Sequence, residues 1–336
     1  MAEVGLLRDR RASERGVVRY RRVEVAVKLG DQGHRFVILQ DVRRPVERYN
    51  EQVSLLCNVE GAKLLRGAML ADALVDADEG RPDARIEPIF RVHPPPPANR
   101  LEMFEKILVA LSERHGLDSR RWCWTRGQDL GAFLDALPTE GPEGRIARAI
   151  HRQAVILNTR STFGPEPGGH HGVGADVYAR FSAPMREIVG VYLHMETWQA
   201  LGTKTADDPA LRAQVVERAN ESKRVQRSLT DQSNRLVLDQ LFEGATASDR
   251  FFGTVMGLNR GKVYVLLDQP PIDVKIYLGH QEKFAGGELS IDESGTELLD
   301  DKTSVCRLGD RVDVVVRGRD EKRDRWILTV ATKERS

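Results

Sequence analysis

The chain has 336 residues, about two domains' worth, and a hydrophobic fraction of 40%, which excludes wholesale disorder. Its 51 lysines and arginines nearly balance 50 acidic residues, so the net charge of +1 leaves any nucleic-acid site to a local patch. The three scattered cysteines argue against a disulfide framework, a zinc cluster or a redox pair. No apolar leader and no run of about 18 apolar residues occurs, so we predict a cytoplasmic chain without a membrane span.

The first 50 residues carry 12 lysines and arginines against 7 acidic residues, which suits either a solvated arm or an RNA contact. A strand-like stretch at Val23–Val27 precedes an amphipathic helix over 45–70, where Pro45 suits the first turn. Prolines 94–97 predict an extended connector after a short apolar run. Helical spacing then predicts further helices over 101–116, 128–137, 145–156, the stretch ending at Trp198, and 210–242.

The apolar period changes after residue 250, where short runs alternate with glycine-containing turns. Five such runs predict a small β-barrel of the OB type. We therefore predict an α+β chain with one domain over 1–244 and a barrel domain over 245–336. The five predicted strands are 252–258, 263–267, 274–278, 312–316 and 326–330.

The most informative segment is a glycine-rich loop, residues 169–174, that contains His170 and His171. Adjacent histidines rarely converge on one metal ion, and no carboxylate stands beside them, so an anion site is the better interpretation. Ser182 and Arg186 follow, in a stretch that we expect to open a helix. Unpaired amides at a helix start and a guanidinium suit a phosphate.

This segment resembles the signature of the RNB exoribonucleases, the family that includes ribonuclease II and ribonuclease R. Agreement continues in order at 47–62, at Phe90–Pro94 and at Gln153–Ala154, and the tail is similar to the S1-type RNA-binding domain of that family. The residues in register with the signature are Gly169, His170, Gly172, Tyr178, Phe181, Pro184, Arg186 and His194.

The resemblance implies the C-terminal part of an RNB catalytic domain followed by a five-stranded OB-fold, acting on single-stranded RNA by 3′→5′ hydrolysis. It implies that Arg186 binds phosphate at the cleavage point. Tyr264 is an exposed base-stacking residue or, equally, a residue that packs the barrel. The complete set of candidate RNA-binding residues is Arg186, Tyr178, Ser182, His170, Lys262, Tyr264 and Tyr277.

The family's cluster of magnesium-binding aspartates has no counterpart in the sequence. Asp72, Asp76 and Asp78 suit a solvated turn better, so we predict that Mg²⁺ ligands are absent. Glu187, Gly190 and Met195 depart from the family pattern and remove charges expected along the RNA path. Three alternatives follow, namely part of an enzyme completed by a second polypeptide or cut short at a misplaced start, a non-catalytic RNA-binding protein, or a decayed remnant. For a truncated domain we also expect a poor monomer.

Overall fold

The computed structural model describes residues 1–20, 24–30, 33, 35–41, 44–75, 86–203, 208, 210–285 and 288–331. None of the helices in these ranges combines the length and the apolar character that a membrane crossing needs. The helices are α1 (Ala2–Glu14), α2 (Pro45–Val75), α3 (Ala98–His115), α4 (Ser119–Trp122), α5 (Leu130–Ala136), α6 (Gly141–Leu157), α7 (Ile188–Ala200), α8 (Leu211–Phe242) and α9 (Leu278–Ala285).

All strand pairs within the described ranges are antiparallel apart from one isolated bridge, and they form four small sheets. The strands are β1 (Glu24–Leu29), β2 (Phe36–Asp41), β3 (Phe90–Val92), β4 (Thr162–Gly164), β5 (Phe251–Asn259), β6 (Lys262–Leu267), β7 (Asp273–Tyr277), β8 (Leu289–Ile291), β9 (Glu297–Asp300), β10 (Thr303–Arg307), β11 (Arg311–Asp320) and β12 (Arg325–Val330). The prediction of a mixed α+β fold is confirmed.

The chain divides into two compact units, each assembled from separate stretches. Unit 1 comprises 1–18, 43–95 and 159–229, and unit 2 comprises 19–42, 96–158 and 230–336. The boundary between residues 244 and 245 that we expect from sequence stays a prediction.

Unit 1 packs α2 against α7, with the two-stranded sheet β3–β4 and the first half of α8. Its core includes Leu65, Phe90, Val189 and Leu193, each nearly or fully buried. The arginine-rich start is not an extended arm, because Ala2–Glu14 is helical and Asp9 forms an ion pair with Arg48 of α2.

Unit 2 is built on a five-stranded sheet in the order β12-β11-β5-β6-β7, with α9 beside its edge strands. All five predicted strands are present, but the predicted barrel is not closed, because β12 and β7 do not share a ladder. The side-chain amide of Gln281 in α9 forms two hydrogen bonds with the backbone of Val330 in β12. It donates to Val330 O at 3.0 Å and accepts from Val330 N at 2.8 Å. A second sheet, β8–β10, is absent from our sequence prediction.

Helix ends follow local chemistry closely. Pro45 is the first residue of α2, and Gly116 ends α3 with φ of 62°, a left-handed conformation that glycine adopts without strain. Asp129 caps α5 by accepting from Ala132 N at 3.0 Å. The predicted helices are therefore confirmed to within a few residues, whereas the short α4 and α9 lack enough periodicity to be predicted.

Candidate functional site

The glycine-rich loop of unit 1 runs beside β3 because its glycines leave room for that strand. The amide of His93 donates to Gly169 O at 3.0 Å, and the amide of His171 donates to His93 O at 2.8 Å. A Cβ on Gly168 would lie 2.9 Å from Val92 Cγ2. A side chain at 168 would therefore push the loop away from the strand.

Three histidines meet where the loop crosses β3. His93 Nδ1 accepts from Gly172 N at 3.0 Å, so its Nε2 carries the proton and donates to Thr159 O at 3.0 Å. The His170 ring lies 5.0 Å from the His93 ring and is buried. Burial first, and then the charge of Arg91, lowers the pKa of His170 to about 3. His170 is therefore neutral at physiological pH.

The described residues do not fit a magnesium ion. No group of three or more His, Cys, Asp or Glu side chains among them is placed to hold a metal. The carboxylate of Asp72 accepts from Ile86 N at 3.0 Å, and that of Asp208 accepts from Ala210 N at 3.0 Å, so both fix backbone. Asp76 and Asp78 lie outside the described residues. No catalytic step through a metal can be built on these groups.

A buried amide from α2 fixes the chain after the loop. Asn58 has no exposed surface, and its Nδ2 donates to Tyr178 Oη at 2.9 Å and to Ser182 Oγ at 3.1 Å. Its Oδ1 accepts from Ser182 N at 2.8 Å. Tyr178 is buried, with its ring 4.7 Å from that of His170. The structure thus brings together three predicted residues, Tyr178, Ser182 and His170, through an asparagine whose role the sequence does not reveal. These residues, with Arg186, are called the loop site below.

The expectation that Ser182 and Arg186 open a helix is wrong. Residues 184–186 form a turn, in which the amides of Arg186 and Glu187 donate to Ala183 O, and α7 begins at Ile188. Glu187 precedes the first residue of α7 and does not cap the helix through its side chain. Arg186 is exposed, and within the described ranges no hydrogen bond or ion pair engages its side chain.

Two departures from the family signature are accommodated by their neighbours. Glu187 Oε1 accepts from Arg180 Nε at 3.1 Å and lies 3.0 Å from Arg180 Nη2. At Gly190 a Cβ would lie 3.0 Å from Pro184 Cα and 3.3 Å from Arg180 O. An aspartate at 190 would therefore require the turn to move.

A second candidate surface, called the sheet face below, lies on β6 and β7 in unit 2. Val263 and Val265 fill the core, so Lys262 and Tyr264 point to the other side of the strand. Lys262 stands opposite Tyr277 in the antiparallel register, and its Nζ lies 5.0 Å from the centroid of that ring. Tyr264 is half-buried on the side of the sheet opposite that core, and both alternatives for it, base stacking and packing, stay predictions.

Further cations flank the aromatic rings of unit 2. Arg325 Cζ lies 3.6 Å from the centroid of Tyr277, and Arg152 Cζ lies 5.9 Å from that of Tyr264. Phe252 is 42% exposed, with Arg311 Cζ 4.3 Å from its ring centroid. The sequence analysis does not name this pair, although Phe252 is an aromatic residue at the start of the first predicted strand.

The sequence of this chain is similar to those of known ribonucleases. No model of a protein family matches the chain. It is 24% identical to ribonuclease R of Aquifex aeolicus over 242 residues, 70% of this chain and 32% of that protein. It is 26% identical to exoribonuclease 2 of Escherichia coli over 252 residues, 73% of this chain and 34% of that protein. The chain therefore spans about a third of the length of these relatives.

Solved structures agree in fold. RNase R of Mycoplasma genitalium, in complex with ribose-methylated single-stranded RNA, superposes with a TM-score of 0.74 at 16% identity, covering 97% of this chain and 48% of that one. Yeast Ssd1, described as a pseudonuclease, gives 0.51 at 14% identity, covering 82% of this chain and 30% of that one. Over about 70% of its length in sequence, and in its fold, this chain is similar to the RNB exoribonucleases, the family of ribonuclease R and exoribonuclease 2.

Proposed function

We propose that this chain binds single-stranded RNA and does not cleave it by itself. The observation that carries the proposal is Arg186, an exposed guanidinium without an ion-pair partner among the described residues, on a turn anchored by the Asn58 network. A guanidinium free of carboxylates is available to a phosphate, which it can bind through two parallel hydrogen bonds. The buried network holds Tyr178 and Ser182 in place before any ligand arrives.

The wider role we propose is that of the C-terminal part of an RNB-type 3′→5′ exoribonuclease in the cytoplasm. Exoribonucleases of this family are generally Mg²⁺-dependent, and the metal ligands would come from a second polypeptide. The apolar outer side of α7 suits such a partner, because Ile188 and Trp198 are largely exposed, as are Met185 before the helix and Leu201 after it.

The sheet face is a second RNA-binding surface in this proposal. Bases stack on Tyr264 and Tyr277, while Lys262 binds the backbone, a combination that holds single strands without reading sequence. Acidic and basic residues nearly balance in this part of the chain, so we expect a weak contribution that depends on salt.

A second candidate function is a non-catalytic RNA-binding protein derived from an RNB enzyme. The Glu187–Arg180 pair favours it. Glu187 stands where the family signature has an arginine, and its carboxylate neutralises the nearby Arg180. The likeness in fold to a pseudonuclease is compatible with it. The two candidates differ in whether a second polypeptide restores cleavage.

Fluorescence anisotropy with a labelled oligouridylate tests the shared claim. We expect Arg186→Ala to weaken binding about tenfold, because a charge-assisted contact to phosphate is lost. Arg218→Ala is the control, since Arg218 is exposed and already paired with Glu221. Equal affinities of Arg186→Ala and the unmodified chain, or no binding by the unmodified chain, would contradict the proposal.

A further inference from the structure

Two cations of unit 1 converge on one short segment ahead of and within β4. Arg91 of β3 donates from Nε to Ser161 Oγ at 3.0 Å, and Lys223 of α8 donates from Nζ to Ser161 O at 3.1 Å. Both also face the ring of Phe163, with Arg91 Cζ at 5.6 Å and Lys223 Nζ at 4.4 Å from its centroid. Both side chains are half-buried. The two positive charges therefore both bond to Ser161 and both lie beside the ring of Phe163.

Most of the donors on these two cations are unused. Arg91 engages one of its five N–H groups, and in the described part of the chain no acceptor bonds its terminal nitrogens. Lys223 engages one of three N–H groups, and no carboxylate among the described residues forms an ion pair with either cation. Glu187 acts on both electrostatically, but it is hydrogen-bonded to Arg180.

The local charge balance is therefore positive. Arg91, Lys223 and Arg180 face a single carboxylate, Glu187, and Arg227 of α8 adds a further cation. Burial first, and then the charges of Arg91 and Arg180, lowers the pKa of Lys223 to about 8. Half-buried cations that repel one another are relieved when an anion binds between them.

His170 lies within the electrostatic reach of the same pair, since the charges of Arg91 and Lys223 both act on it. Its two ring nitrogens are buried, and neither has a hydrogen-bond partner in the described structure. Buried polar atoms are nearly always satisfied in native proteins, by protein, water or ligand. A neutral imidazole retains one N–H donor for such a ligand.

We propose that Arg91 and Lys223 form a phosphate subsite, additional to Arg186, that takes a phosphodiester of the bound RNA strand. The planar guanidinium of Arg91 matches two phosphate oxygens, and the ammonium of Lys223 adds a point charge. The inference rests on the proposed function for the identity of the ligand. The site itself is defined by the two cations, Ser161 and Phe163.

Binding of a labelled oligouridylate across a salt series tests the subsite. We expect Arg91→Gln and Lys223→Gln each to weaken binding about fivefold to tenfold and to reduce the salt slope by about 0.7, the contribution of one phosphate contact to a single strand. Lys223→Arg keeps the charge and is expected to bind within about twofold of the unmodified chain. Lys63→Gln is the matched control, because Lys63 is exposed on α2 and paired with Glu60.

A second readout uses the unmodified chain and does not depend on the folding of variants. In protein labelled with ¹³C at lysine Cε, the Lys223 signal is expected to titrate near pH 8 and to shift to higher pH when RNA is added. RNA binding with an unchanged Lys223 titration, or with both glutamine variants equal to Lys63→Gln, overturns the subsite.

Failure of the proposed function is recognised separately, as absence of RNA binding by the unmodified chain. In that case the Lys223 titration is measured again with inorganic phosphate in place of RNA. A rise in the pKa of Lys223 on adding phosphate supports the subsite, and no change overturns it.

Discussion

The loop site and the sheet face hold their functional side chains in different ways. In the loop site, a fully buried asparagine bonds Tyr178 and Ser182, and glycines permit strand and loop to touch. In the sheet face, Lys262 and Tyr277 are placed by strand register alone, on the side opposite the core. The loop site therefore depends on exact packing, whereas the sheet face tolerates side-chain substitutions as long as its strands remain paired.

The largest expected effect separates the two regions by stability. Asn58→Ala is expected to lower the free energy of unfolding by about 2–4 kcal/mol, because it removes three hydrogen bonds and leaves buried groups unsatisfied. Asn259→Ala is the matched control in the other region, where the exposed side chain donates to Tyr264 Oη and accepts from Gly261 N, and it is expected to cost less than about 1 kcal/mol because these groups are open to water. Urea unfolding measures both, and equal losses would refute the difference.

On the sheet face we expect the opposite result, in which a substitution weakens RNA binding but leaves the free energy of unfolding unchanged. Tyr264→Ala is expected to weaken oligouridylate binding by about 1–3 kcal/mol, the range for one stacked base, with little change in unfolding. Trp198→Ala serves as the control, since Trp198 is an exposed aromatic outside both regions. Anisotropy shows the outcome, and unchanged affinity for Tyr264→Ala would remove the sheet face from the RNA path.

Acid sensitivity is expected to belong to the loop site. The folded-state pKa of His170, about 3, lies below the ordinary 6.5. Between these pH values His170 binds a proton in the unfolded chain but not in the folded chain. Stability is therefore full above pH 6.5 and falls by about 1.4 kcal/mol per pH unit as the pH drops towards 3.

Urea unfolding at pH 6 and pH 5 compares the unmodified chain with His170→Gln. The variant is expected to lose less stability over that interval, by about 1 kcal/mol. Burial also lowers the pKa values of His93 and His171, which are present in both proteins. Parallel pH profiles would show that His170 is protonated in the folded chain.

The smallest expected effect concerns Glu187, the residue that follows Arg186 of the loop site. Glu187→Gln removes the partner of Arg180, and the pair is one-third exposed or less on each side, so a stability loss of less than about 1 kcal/mol is expected. Because the local charge becomes more positive, RNA affinity at low salt is expected to rise about twofold and to fall more steeply with salt. Weaker binding would mean that Glu187 supports the RNA path instead of opposing it.

The five strands of the large sheet were predictable from sequence, because short apolar runs alternate with turns there. The side of the sheet on which Tyr264 lies was left open, and the sheet β8–β10 was not predicted. Closure of the barrel was not predictable, since it depends on whether β12 reaches β7, and there Gln281 of α9 bonds the backbone of Val330.

The loop site was predictable as a set of residues but not as a geometry. The resemblance to the RNB signature marked His170, Tyr178 and Arg186. It did not reveal the turn at 184–186 or the start of α7 at Ile188, where Gly190 lies close to Pro184. Asn58 and Lys223 come from helices distant in sequence. Contacts of that range leave no periodic signal in a single sequence.

The most direct test of the central claim incubates the full chain with 5′-labelled single-stranded RNA and Mg²⁺ and follows product length on a sequencing gel, with a native gel run in parallel. We expect a retarded RNA whose length does not change, and a weaker retardation for Arg186→Ala. A ladder that shortens from the 3′ end, and that Arg186→Ala abolishes, would contradict the claim, because the chain would then cleave RNA without a second polypeptide.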